Sequence, residues 1–231
     1  MTITSNIKNL IKKNDTFKSF LSWGYRLVKC NSVKCKGHGN RVKTNITGLF
    51  LSHSKIRVNG SKNEILFIEG GVSSFDRLHI NINGNNNRVI IRPWSSGSGL
   101  SINIEDDNNL VELGEYFSCG PNTEFAAIEG TSIIFGKDCM LSANITVRTG
   151  DSHSVTDLEG KRINPSMSVL FGDHVWIGNT VLIFKATQIG EHSIIAGGSV
   201  VTGKVFPPHS VIGGYPAKVI KEGVDWNRQR I

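Results

Sequence analysis

The chain has 231 residues and a mass of 25.3 kDa, with 39% apolar and 19% charged side chains. That suffices for one large domain, or two small ones, around a substantial core, and it excludes a disulfide-stapled miniprotein and a disordered tail. The formal charge of +7 is uneven: residues 1–45 hold 10 Lys or Arg against Asp15 alone, and the rest holds 16 basic and 18 acidic residues.

A basic patch of this kind suits an anionic polymer, an anionic membrane surface or nucleic acid, and equally a merely solvated face. Within it, residues 5–29 carry apolar positions at helical spacing with a break at Asn14-Asp15, which predicts two short amphipathic helices. Lys8, Lys12, Lys13 and Lys18 interrupt the apolar positions, so neither a signal-peptide core nor an 18-residue span is expected. The expectation is a cytoplasmic protein whose residues 1–45 form a basic helical appendage. That appendage either caps the core or touches a membrane peripherally. The four cysteines, Cys30, Cys35, Cys119 and Cys139, show neither Cys-x-x-Cys nor zinc-finger spacing, consistent with a reduced compartment.

From about residue 55 the helical period gives way to repeats. Ile56 to Phe67, Ile80 to Ile91 and Ile102 to Leu113 each read as a β-branched strand, an Asn/Gly/Asp turn and a second strand, and their asparagines at 63, 87 and 109 step by 24 and 22. Repeats of this length without intervening helix predict the coils of a parallel β-solenoid. The second half is tighter. Phe135, Leu141, Val147, Phe171, Ile177, Ile183, Ile189, Ile195 and Val201 fall on one period of six, often followed by a small residue, and Cys139, Ile145, Val175, Val181, Thr187, Ser193 and Val205 lie four on.

The rhythm breaks once, between Val147 and Val169, in a polar excursion expected to form a loop over 149–168; polar loops on rigid scaffolds commonly carry function. His153 lies at its base, near Asp151 and Asp157 in sequence, where a carboxylate can fix an imidazole tautomer and favour the imidazolium. His174 and His192 are 18 residues apart, one tight coil, and should stack on one outward corner. Trp176 ends its hexad and should face outward, which calls for an interface, a ligand or packing beneath the loop. Asn144 lies on the coil leading into the loop, where it can orient a hydroxyl or simply make a turn.

The hexads, together with Phe171-Gly-Asp-His-Val-Trp-Ile-Gly178, Ile189 to Thr202 and Gly213-Gly-Tyr-Pro-Ala-Lys-Val-Ile220, resemble the hexapeptide-repeat acyltransferases over roughly residues 110–222. Asp151-Ser-His153 and the terminal Gly223-Val-Asp-Trp226 make the capsular polysaccharide and sialic acid O-acetyltransferases the nearest by motif. The resemblance implies an all-β, left-handed parallel β-helix over residues 46–222, followed by a tail at 223–231. It implies acetyl transfer from acetyl-CoA to a carbohydrate hydroxyl, with no metal, and with the polysaccharide, a small molecule or a nucleotide sugar as the open choices of acceptor. His153 is then the catalytic base and Trp176 an oxyanion donor, with Asn144, Asp151, Asp157 and His174 as acceptor-orienting candidates. Gly178, Ala196, Gly197, Thr202, Lys204 and Lys218 fall in the stretch that resembles the coenzyme A groove, although Thr202-Gly-Lys204 departs from the usual spacing. The family typically forms a homotrimer; a polyanionic glycan rather than nucleic acid is the partner that the basic segment suggests.

Two relatives of the same fold fit less well. Serine acetyltransferases need a longer helical N-terminal domain than residues 1–45 allow, and a carbonic anhydrase needs three zinc-binding histidines, whereas His153, His174, His192 and His209 are expected to show no close pairing. A non-enzymatic solenoid that only presents a surface is the alternative from another class.

Overall fold

In a computed structural model that describes residues 30–44 and 46–229, the chain winds through three sheets in strict rotation. Sheet A runs from Ser32–Lys36 to Val200–Val201, sheet B from Arg41–Lys43 to Val205–Phe206, and sheet C from Leu49–Ser52 to Ser210–Gly214. All pairings between coils are parallel, and one antiparallel strand, Ala217–Glu222, closes the end of sheet C. This is the parallel β-solenoid that the repeats predict. Among the described residues no helix is long and apolar enough to cross a membrane.

The core is a set of vertical ladders. In sheet A, Ile56, Ile80, Ile102, Phe125, Val147, Ile183 and Val201 stand on one another in register, and each is nearly or fully buried. Every residue of the six-residue series from Phe135 to Val201 is buried. The wider lower coils hold the larger side chains: Phe117, Phe125 and Phe135 make edge or tilted contacts at 5.1–6.2 Å, and Phe135 stacks on Phe171 at 4.2 Å.

Asn63, Asn87 and Asn109, the residues that set the repeat, are buried and form a ladder of their own. The side-chain oxygen of each accepts the backbone N–H of the next equivalent residue, Asn63 to Asn87, Asn87 to Asn109 and Asn109 to Thr131, at 2.8–3.0 Å. Their amides donate to turn carbonyls, so a polar corner is buried without orphaned groups. Gly84, in the same turns, has φ +146 and a position at which a Cβ would lie 1.9 Å from the Asp106 carbonyl, so only glycine fits.

Two expectations change. The solenoid begins at Ser32 rather than 46, because Val33 and Cys35 pair in register with Ile56 and Val58, which lets the basic residues between them face outward on a strand. The helices expected over 5–29 lie outside the described residues. Val205 is 73% exposed and Phe206 is buried in its place. Phe206 stands on Ile189, a step of 17 residues, so this coil closes one residue early and the inward position moves by one.

Candidate active site

The excursion between Thr146–Arg148 and Val169–Phe171 leaves the solenoid at the corner where sheet A turns into sheet B. It folds into a small hairpin of its own. Asp157 makes the turn: its backbone N–H donates to the Lys161 carbonyl, its Oδ1 accepts the Lys161 N–H at 2.7 Å, and Gly160 supplies a φ of +83. A bridge between Thr156 and Arg162 continues the ribbon.

Three clamps hold the loop to the coils around it. From below, Glu129 on the same corner receives both terminal nitrogens of Arg162 at 2.7 and 3.0 Å, a bidentate geometry. From above, Lys185 pairs with Asp151 and reaches the Asn164 carbonyl at 3.3 Å. Within the loop, the Asn164 amide donates to Asp151 Oδ2 and to the His153 carbonyl, both at 2.8 Å, and accepts the Val155 N–H at 2.7 Å. Arg162 lowers the pKa of Glu129 to about 2, and Lys185, with Asn164, holds Asp151 below its ordinary carboxylate value.

These contacts revise the sequence reading of the two aspartates. Asp151 and Asp157 do not orient the His153 ring. Lys185 and Asn164 take the carboxylate of Asp151, and the loop turn takes that of Asp157. His153 is exposed, its backbone is fixed by Asn164, and its ring makes no hydrogen bond among the described residues. Glu129, Arg162, Asn164 and Lys185 escaped the sequence reading. Lys185 alone left a signal there, since it follows the inward Ile183 by two residues and must reach the loop's corner one coil on.

The other candidates lie elsewhere on the triangular section. Trp176 is half-buried on the outer side of sheet C, in register with Met140 and Ile194, and packs near Trp226 rather than beneath the loop. Gly178, Ala196 and Gly197 cluster where sheet C turns into sheet A; a Cβ on Gly178 would meet Gly197 N at 2.6 Å. Asn144 is exposed on that same corner in a left-handed turn and accepts a hydrogen bond from Asn122, so it does not sit beside His153. Lys218 pairs with Gly213 on the closing strand, next to the small-residue stripe, because a Cβ on Gly213 would touch Ala196. Thr202 and Lys204 stand on the loop's corner, where Gly203 N–H donates to the Lys185 carbonyl. Within one chain the candidates therefore form two groups, one on the loop's corner and one along sheet C, from His174 where sheet B turns into it, through Trp176, to the glycines where it turns into sheet A.

His174 has no ring nitrogen to offer an acceptor. Its Nδ1 lies 2.6 Å from Asp138 Oδ2, and its Nε2–H donates to the Trp226 carbonyl at 2.9 Å. The expectation of a stacked corner is met, with ring centroids of His174 and His192 5.0 Å apart. The expectation of no close pairing is not, since His192 also stacks on His209 at 4.9 Å. The registry of 18- and 17-residue coils brings them together. With Asp225, His174 and His192 place candidate ligand atoms within 4.8 Å of one another. These atoms are engaged with one another: His192 Nδ1 lies within hydrogen-bonding distance, 3.2 Å, of both oxygens of Asp225.

The buried thiols of Cys119 and Cys139 are pushed up to about 12 by burial, which removes thiolate character and with it a covalent acyl-cysteine route.

No family model matches the chain. A polysialic acid O-acetyltransferase of Neisseria meningitidis is 30% identical to it over 195 residues, which cover 84% of this chain and 88% of the relative. The crystal structure of the polySia-specific acetyltransferase NeuO superposes with a TM-score of 0.76 at 28% identity, over 86% of this chain and 83% of that one. The polysialic acid O-acetyltransferase OatWY superposes with a TM-score of 0.80 at 28% identity, over 87% and 93%.

Proposed function

Because the chain belongs to the family of the polysialic acid O-acetyltransferases, we propose that it transfers the acetyl group of acetyl-CoA to a hydroxyl of a surface polysaccharide, with polysialic acid or a similar polyanionic glycan as acceptor. Family likeness over 88% of a relative's length carries this reading. The charge distribution supports the polyanion. Lys34, Lys36, Lys55 and Arg57 stand exposed on two neighbouring strands of sheet A, Lys34 beside Arg57, with no ion-pair partner among the described residues. A cytoplasmic setting, where acetyl-CoA is at hand, belongs to the same reading.

His153 is the base. Its imidazole takes the proton of the acceptor hydroxyl as the oxygen attacks the thioester carbonyl, and returns it to the departing thiolate, so proton and acetyl both balance. The indole N–H of Trp176, or a backbone N–H, holds the oxyanion of the tetrahedral intermediate. Gly178, Ala196 and Gly197, which lack bulky side chains, suit the pantetheine arm, and Lys218 beside them suits the nucleotide phosphates better than Lys204.

The two groups of candidates meet if three copies assemble with the loop corner of one against the sheet C side of the next. The loop supports this arrangement, for it exposes Val155, Leu158, Ile163 and Met167, Leu158 completely. Incorporation of radiolabelled acetyl from acetyl-CoA into polysialic acid, against neutral polysaccharides and at two salt concentrations, tests the acceptor; equal labelling of neutral chains without salt dependence overturns it. His153→Ala tests the base, and a folded variant with full activity removes it. Mixing inactive His153→Ala and Trp176→Ala chains tests the shared site. Recovered activity supports it, and none places the site within one chain.

A further inference from the structure

One corner of the solenoid, where sheet B turns into sheet C, is lined by large side chains on left-handed backbone. Trp94, Tyr116, Asp138, His174, His192 and His209 all have φ between 55° and 64°, one per coil. The end of the chain runs down this corner as a strap. Val224 exchanges hydrogen bonds with His209 through its N–H and its carbonyl, and Asp225 pairs with His192. Trp226 stacks on His174 at 4.1 Å and 8°, and its Nε1–H donates to the His174 carbonyl at 2.8 Å. Arg228 donates to Asp138 Oδ1 at 2.7 Å, to Ser118 Oγ at 2.9 Å and to the carbonyls of Tyr116 and Cys139.

The strap is not needed to close the sheet. The antiparallel strand Ala217–Glu222 already covers the last edge of sheet C before the strap begins. What the strap adds is a wall. Pinned above by Val224 and Asp225 and below by Arg228, Trp226 presents its indole 6.0 Å from that of Trp176, inclined by 45°. This is the one ring contact of Trp176 among the described residues. A tryptophan on the outer face of a sheet otherwise samples several χ1 wells, and a displacement of about 1 Å at a reacting centre costs on the order of a hundredfold in rate.

We propose that the strap is a positioning device for the reaction, in which Trp226, locked onto His174 and held by Asp225 and Arg228, fixes the orientation of the Trp176 indole. The proposal rests on the reading that places Trp176 at the reacting centre. Trp226 does not touch substrate; it acts through Trp176.

The test uses the full chain labelled with 5-fluorotryptophan, its Trp176 resonance assigned with Trp176→Phe. The variants are Trp226→Ala, Trp226→Phe, which keeps a stacking ring, and Arg228→Ala, which frees the lower end. In Trp226→Ala the Trp176 resonance should shift or broaden and kcat should fall by about tenfold to a hundredfold, with KM for acetyl-CoA changed much less. Trp226→Phe should recover most of both, and Arg228→Ala should fall between. An unmoved Trp176 resonance in Trp226→Ala overturns the proposal. So does a kcat loss that merely follows the folded fraction seen in thermal melting. If Trp176→Phe is itself fully active, the placement of Trp176 fails instead, and the resonance alone then decides whether the strap orients it.

Discussion

Glu129 receives both terminal nitrogens of Arg162 and so ties the loop of one coil to the corner of the coil beneath. The clamp lies away from the solenoid core, so its loss should loosen the loop without unwinding the coils. Glu129→Gln and Arg162→Ala should each lower kcat/KM by about tenfold or more through misplacement of His153, while the melting temperature barely moves. A melting shift of many degrees would assign the pair to the fold instead.

The same clamp has a defined pH window. The Glu129 carboxyl is held down to about 2 by Arg162, and Asp151 is held below its ordinary value by Lys185. A carboxylate depressed on folding stabilises fully above the ordinary carboxylate range, and that contribution disappears only as pH falls through the depressed value. The loop should therefore stay clamped near pH ~4, where unpaired carboxylates take up protons. Carboxyl carbon resonances titrated by NMR should show Glu129 among the last acids to protonate; an ordinary glutamate midpoint would contradict the bidentate pair.

The four cysteines should divide cleanly. Cys30 and Cys35 are exposed, whereas Cys119 and Cys139 are buried with thiols pushed up to about 12. Iodoacetamide under native conditions should alkylate only the first two and leave acetyl transfer intact, as mass spectrometry and an activity assay would show. Rapid modification of Cys139 would mean that the coils open.

Asn87 is the middle rung of a buried ladder. Its side-chain oxygen accepts the Asn109 N–H, and its amide donates to the Asp106 carbonyl. Asn87→Leu leaves both groups unpaired and should cost about 3 kcal/mol, read from the urea midpoint. A near-neutral result would show that water replaces the rung.

The period of six made the second half of the fold legible because each coil repeats the same burial demand: Phe171, Ile177 and Ile183 face one interior. The asparagines at 63, 87 and 109 were legible for the related reason that a buried turn must pair its own amides. The start at Ser32 was not, because this first strand buries neither Val33 nor Cys35 and its lysines carry the same charge as a basic helical arm.

At the site, the amino-acid sequence by itself determined the solenoid, the place where a loop leaves it and the histidine at the base of that loop, since all three depend on local period and on its interruption. Only the tertiary structure decided what Asp151 and Asp157 pair with, that Glu129, Asn164 and Lys185 hold the loop, and that Trp226 lies against Trp176. Asp157 pairs within a local turn and Asn164 within the loop, but the Glu129, Lys185 and Trp226 contacts join residues tens of positions apart, through coils whose stacking sets distances that sequence spacing does not contain.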